Sequence, residues 1–405
     1  MAIEDEDIRD REVWTLVSRH WYSKASGKAP TTGRLYHHLA ILARPNALQQ
    51  LFYYTKSLCV PVPFPSAKES IMTLFDPLLN VSGPQHARLP MNDVAFVRAH
   101  GILFSQKHLD SYLPTVNEFL QSLDDHIALV TQRWVEAGYH IGIANCCALL
   151  SYGNEENVIM RSIHEQDNEQ EDEAMETQSD STKLPKIFED ALILVMGTHD
   201  VVFRRWHDPN VLAYTHVVMV FMFYLLRLPS AMRSLEHRFP WKLLSLMLNS
   251  FLQSYQQYDL IQSDQFPAET SKEHRPLPED FALKGFHFVE PYHPTDLFSK
   301  IKIDDDEKYF EMPSMMEVRK ERILWLAHKI ARTGIWLTWD ESTNRFGVNL
   351  KYEKEIDLPG DVNMINIPGA GQTEPHTSTF GANFTGEGDA MDIDDVSGAT
   401  TSVAV

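Results

Sequence analysis

Seven cations stand in residues 13–75: Arg19, Lys24, Lys28, Arg34, Arg44, Lys56 and Lys68, against one acid, Glu69. Trp21, Tyr22, Tyr36, Phe52, Tyr53 and Tyr54 are interleaved with them. Cations attract phosphates and release their counterions, and an exposed ring stacks on a base whatever its identity. Together these are the means of single-strand nucleic-acid binding, and the seven cations are its candidate contacts. The same pattern also suits helices whose rings are core and whose cations form a solvated face. A second basic cluster, Arg319, Lys320 and Arg322, adjoins Ile323, Leu324 and Leu326, which reads as a surface helix.

Residues for bond-making chemistry are not grouped in any familiar way. The sequence has no Gly-rich phosphate loop, no Gly-x-Ser-x-Gly and no His-Glu-x-x-His. His37 and His38 are adjacent, so a helix would present only one of them on a given face. His199, Asp200 and His207, beside Arg204 and Arg205, match no zinc-ligand spacing. Asp392, Asp394 and Asp395 lie in an aperiodic tail that cannot fix a metal's geometry. Cys59, Cys146 and Cys147 offer neither metal spacing nor a disulfide framework, which points to a reducing compartment. The expectation is a protein without catalysis, cofactor, metal or small-molecule substrate.

The net charge of −20 is unevenly placed. Residues 1–12, 164–182 and 356–405 hold the whole excess of acid, and the remainder is neutral. Those three stretches have the composition of solvated, disordered segments, so the acidity does not exclude an anionic partner. The acidic N-terminus lacks the basic region of a signal peptide. The purely apolar run Val217–Leu226 is too short to span a bilayer and is closed by Arg227 and Pro229, so it reads as a core helix. No membrane association is expected.

The elements that carry these residues are helical. Tyr22, Ala25 and Pro30 have the spacing of the second helix of a tetratricopeptide unit, and Tyr36, Leu39 and Ala40 that of the next first helix. Small residues at Ala25 and Ala40 admit a neighbouring helix, Pro30 stops one helix, and Thr31-Thr32-Gly33 turns into the next. Trp14 to Ser26 reads as the second helix of a pair whose first is not in the acidic residues 1–10. Downstream, Ser66 with Glu69 and Ser314 with Glu317 have capping-box spacing. Helices are expected over 131–151, 186–206, 211–227, 235–257 and 314–332. A kink or restart is expected at Pro114, a surface loop over 267–279, and a hairpin pairing 335–338 with 345–348. The fold class is all-α: a tetratricopeptide-like helical array with a small C-terminal hairpin and disordered acidic segments.

The block YHHLAILARPNALQQLFYYTKSLCVPVPFPSAKESIMTLF, preceded by Gly33, resembles the signature of the ever-shorter-telomeres family. The matching residues are Gly33, Tyr36, Leu39 to Ala43, Tyr53 to Leu58 and Pro63 to Phe75, with weaker likeness over Phe96–Leu113 and at RKERILWLAHKIA. That family comprises telomerase accessory subunits and the SMG factors of nonsense-mediated mRNA decay, which share a domain described as DNA/RNA-binding. The resemblance implies a non-enzymatic adaptor. Its partners would be single-stranded telomeric DNA or RNA together with telomerase or mRNA-decay proteins, in the nucleus and also the cytoplasm. The resemblance implies that family members carry upstream helices, a repeat domain similar to 14-3-3 that recognises phosphorylated peptides, and these are not expected within residues 1–405. The chain then divides into an acidic extension (1–12), a repeat-like helical part (13–160), an acidic insertion (161–185), a second helical part of the same domain (186–350) and an acidic tail (351–405). The alternative function is a scaffold that binds acidic or phosphorylated peptides without nucleic acid.

Overall fold

The computed structural model describes residues 8–80, 90–169, 184–267, 275–299, 303–304 and 307–354. Helices α1 (Ile8–Lys28), α2 (Gly33–Leu42) and α3 (Ala47–Cys59) form the first layer, each packed on the next or the one after. Short α4 (Ala67–Ser70) and α5 (Met72–Leu79) follow a proline-stiffened link, then α6 (Met91–Ser105), α7 (Tyr112–Val130) and α8 (Trp134–Leu149). Beyond them come α9 (Val158–Glu169), α10 (Lys186–Phe203), α11 (Leu212–Leu225) and α12 (Pro229–Arg233). The last helices are α13 (Trp241–Leu252), α14 (Tyr258–Gln262), α15 (Pro278–Leu283) and α16 (Met315–Ala331). A two-stranded antiparallel hairpin closes the described part, β1 (Leu337–Asp340) pairing with β2 (Arg345–Val348) so that Trp339 faces Phe346.

The core is a row of helices in which α3 packs on α8, α8 on α11, and α11 on α16. Helix α11 contains the apolar run and is buried along almost its whole length, as a helix surrounded by others must be. Helix α8 approaches it closely because Gly142 has no side chain; a Cβ there would meet Val217 at 3.2 Å. Cys146 and Cys147 are buried at this packing. The parts on either side of residues 161–185 therefore share one core, with α7 and α8 also packed on α10. No helix among the described residues is long and apolar enough to cross a membrane.

Several local expectations are corrected. Helix α1 begins at Ile8 and takes in the end of the acidic stretch assigned to an extension. Residues 161–169, placed in a disordered insertion, continue α9, while 170–183 and the tail from 355 lie outside the described residues. Neither predicted capping box forms. Ser66 (φ −63°, ψ −13°) and Ser314 (φ −66°, ψ −23°) have helical backbones, whereas a capping side chain needs an extended one. Glu317 pairs with Lys320 instead, at 2.9 Å. Pro114 falls in the first turn of α7, where its missing N–H costs nothing, and no restart occurs. Helix α13 starts at Trp241 rather than residue 235, after Pro240. The predicted loop over 267–279 ends instead in the first turn of α15, where Leu277 to Asp280 are buried.

Candidate nucleic-acid interface

The basic stretch folds back on itself at Pro30–Gly33. Helices α1 and α2 run antiparallel, held by the Arg19 guanidinium donating to the Leu42 carbonyl and by Tyr22 stacked on His38 at 4.7 Å. Tyr36 donates to the Pro30 carbonyl at 2.8 Å, closing the turn from beneath. Gly33 N–H donates to Val62 O at 2.8 Å and Val62 N–H to Thr31 O at 3.1 Å, so the proline-rich link pins the turn from one side. A Cβ at Gly33 would lie 2.3 Å from the Ser57 carbonyl, which explains the glycine. Lys24, Lys28 and Arg34 are left exposed around this turn.

On its other side the turn meets the segment that leaves α15. Gly285, at φ +98°, lets that backbone close on Pro30; a Cβ would stand 2.0 Å from the Pro30 carbonyl. Lys284 Nζ then donates to the Gly27 carbonyl at 3.0 Å, in the last turn of α1, where the helix dipole favours a cation. Lys308 Nζ reaches the same point, 2.9 Å from where a Gly27 Cβ would be. Folding thus adds two cations, Lys284 and Lys308, to the three on the turn. Neither carries a signal in the sequence, because each stands far along the chain from residues 13–75.

The other sequence candidates fall elsewhere. Arg44 lies at the opposite end of α2 and donates to Thr73 Oγ1 at 3.1 Å, with exposed Lys68 on α4 beyond it. Arg19 is half-buried and committed to the α2 C-terminus. Lys56 is corrected outright: it is 1% exposed and cannot touch a strand on the surface. Its Nζ donates to the Ala282 carbonyl and to the Lys284 carbonyl (2.8 Å) and lies 4.4 Å from the Tyr36 ring centroid. Burial pushes its pKa well below the ordinary lysine value, and nearby Lys284 adds to the fall. Of the interleaved rings, Tyr36, Phe52 and Tyr54 are core, Tyr22 and Tyr53 are half-buried, and Trp21 is 60% exposed. Trp21 continues an outward apolar stripe with Val13, Trp14, Leu16 and Val17 on α1.

The second basic cluster is also corrected, since Arg319 and Arg322 are buried rather than on a surface face. Arg319 binds Glu279 through two nitrogens, at 2.6 and 2.9 Å, and Glu311 through two more bonds at 2.9 and 3.0 Å. Arg322 donates to Asp280 at 2.5 Å, and His216 bridges Glu279 (2.8 Å) to the Tyr292 hydroxyl (2.6 Å). Burial alone would raise the Glu279 pKa, but the Arg319 charge and the bonds from His216 and Arg319 outweigh it and hold it at about 2. This network ties α15 to α16 and α11, and so fixes the segment that presents Lys284. Among the described residues, no group of three or more histidine, cysteine, aspartate or glutamate side chains could hold a metal ion.

A family model described as the Est1 DNA/RNA binding domain matches residues 18–293. The chain belongs to that family. The nonsense-mediated mRNA decay factor SMG7 of Danio rerio is 28% identical over 143 residues, 34% of this chain and 12% of the relative. The telomerase-binding protein EST1A of Danio rerio is 44% identical over 61 residues, 15% of this chain and 4% of the relative. The chain therefore matches only a small part of either relative's length. A crystal structure of Est1 and Cdc13 contains a chain that superposes with a TM-score of 0.54 at 12% identity, covering 81% of this chain and 65% of that one. At that identity the likeness concerns the fold, which is the helical array described above. Lys24, Lys28, Arg34 and Lys284 all fall within the span matched by the Est1 DNA/RNA binding domain.

Proposed function

We propose that this chain is a nucleic-acid-associated adaptor of the telomerase-accessory or mRNA-decay kind, without catalysis. It binds single-stranded telomeric DNA or RNA and acts with telomerase or mRNA-decay proteins, in the nucleus and also the cytoplasm. The observation that carries the reading is the gathering of exposed Lys24, Lys28 and Arg34 with Lys284 and Lys308 around one turn, four of them inside the Est1 DNA/RNA binding domain match. A phosphate backbone laid across that turn replaces counterions with fixed cations. The rings argue against sequence reading by stacking, since only Trp21 of the interleaved six is largely exposed. The exposed apolar stripe of α1 supports the protein-contact half of the adaptor role. The test is fluorescence anisotropy of the whole chain with single-stranded DNA and RNA over a series of salt concentrations. Binding that weakens linearly in log K against log salt is expected; absence of binding at low salt would leave only the peptide scaffold.

A further inference from the structure

Helix α1 outruns α2. At about 1.5 Å per residue, its 21 residues span about 31 Å and the 10 of α2 about 15 Å. Arg19 already reaches Leu42, the last residue of α2, so the first half of α1 projects beyond it. From Glu12 to Ser18 only Thr15 and Ser18 are half-buried, and the rest are exposed. The projecting face is apolar, since Val13, Trp14, Leu16, Val17 and Trp21 are each 41–64% exposed. We propose that this stripe pairs with the same stripe of a second copy of the chain, the two α1 helices running antiparallel about Val17. The proposal rests on the protein-contact half of the reading above and names the partner.

The order of residues along the sequence singles out a second copy. Two rows at heptad spacing pass through the stripe: Asp10, Val17 and Lys24, and Asp7, Trp14, Trp21 and Lys28. Each row is acidic at its start, apolar in the middle and basic at its end, and Lys24 and Lys28 are exposed. Such a pattern is its own complement only when reversed. Turned end for end, a second copy sets Val17 on Val17, Trp14 on Trp21 and each lysine against an aspartate. A parallel pair would set lysine on lysine and aspartate on aspartate, which like-charge repulsion disfavours. Area sets the strength. A tryptophan carries about 150–250 Å² and an aliphatic side chain about 100 Å², so at these exposures the stripe offers on the order of 400 Å² a chain. Two chains hide roughly 800 Å² of apolar surface before their charged ends are counted, the low end of specific interfaces. The dimer is therefore a weak one that forms with concentration. It draws on Lys24 and Lys28, which a nucleic-acid strand also needs, so dimer and strand exclude each other there.

The test is sedimentation velocity of the whole chain from micromolar to near-millimolar concentration. The unsubstituted chain should pass from monomer to dimer. Val17→Glu should weaken that association on the order of a hundredfold, because the two-fold brings both new carboxylates together. Val17 faces solvent in the single chain, so the circular dichroism of the variant should be unchanged. Orientation is read by cysteine cross-linking with an added oxidant, the unsubstituted chain serving as the blank for its own thiols. Val17→Cys should cross-link to its copy. Val13→Cys should not, since reversal holds the two copies of residue 13 about 12 Å apart along the axis, beyond disulfide reach. A monomer throughout, or a dimer untouched by Val17→Glu, would overturn the pairing and leave strand binding to its own titration. Cross-linking at residue 13 would overturn the antiparallel order. Added single-stranded DNA should return the dimer to monomer, and a strand bound to the intact dimer would overturn the shared use of the two lysines. A dimer that forms while no strand binds would uphold the pairing and overturn the nucleic-acid reading alone.

Discussion

Lys56 and Lys28 show how differently two cations of one basic stretch can be used. Lys56 stands one helical turn from Phe52 and so shares its buried face, while Lys28 ends a helix in solvent. Residues 13–75 do not distinguish them, because the carbonyls that accept from Lys56 belong to Ala282 and Lys284. The same distance hid the role of Glu279, which reads as a loop acid until Arg319 is brought to it, and of Asp280 beside it, which Arg322 reaches. Arg319→Met should lower stability by about 3–5 kcal/mol, since it strands a fully buried carboxylate, and urea denaturation would show it. A loss under about 1 kcal/mol would mean that Glu279 is satisfied without it. Acid should act through the same group. A carboxylate whose folded pKa is depressed from 4.5 to about 2 adds stability above pH 4.5, and that contribution falls away as pH drops from about 4.5 towards 2. Unfolding free energies measured across that window should decline, and a flat profile would contradict the pairing.

At the scale of elements, the helices were legible wherever periodicity and punctuation agreed. Tyr36, Leu39 and Ala40 are buried on α2 as their spacing required, and Pro30 with Gly33 marks the turn. The apolar run of α11 is core, and the hairpin pairs at 345–348 as expected, with β1 shifted to Leu337–Asp340. Helix starts were the weak point, because a serine three residues before a glutamate says nothing about its own backbone, and both such serines are helical. The turn itself depends on two close approaches that only the fold reveals. Gly285→Ala should cost more than about 1 kcal/mol, since it combines a positive φ with a clash on Pro30, and should weaken nucleic-acid binding by displacing Lys284. Gly334→Ala has open space around it despite φ +65°, so it carries backbone strain alone and should cost less. Thermal melting of the two variants would rank them, and the reverse order would argue against a tight contact at Pro30.

For the whole molecule, the net charge of −20 would discourage any nucleic-acid reading if it were spread evenly. It is not. The excess acid is confined to three stretches, and folding concentrates positive charge at one turn by importing Lys284 and Lys308. The all-α class and the family were visible in the block from Gly33 to Phe75; the assembly of the site was not, because it is made by a contact between the two ends of the domain. The central claim is that this turn is where phosphates bind. Its most direct test is the salt dependence of single-strand binding by the Lys24→Gln, Lys28→Gln, Arg34→Gln triple variant, with helix content checked by circular dichroism. Three lost phosphate contacts should weaken binding and reduce the slope of log K against log salt by about two units, with the spectrum unchanged. An unaltered affinity and slope in a folded variant would contradict the claim and place the interface elsewhere.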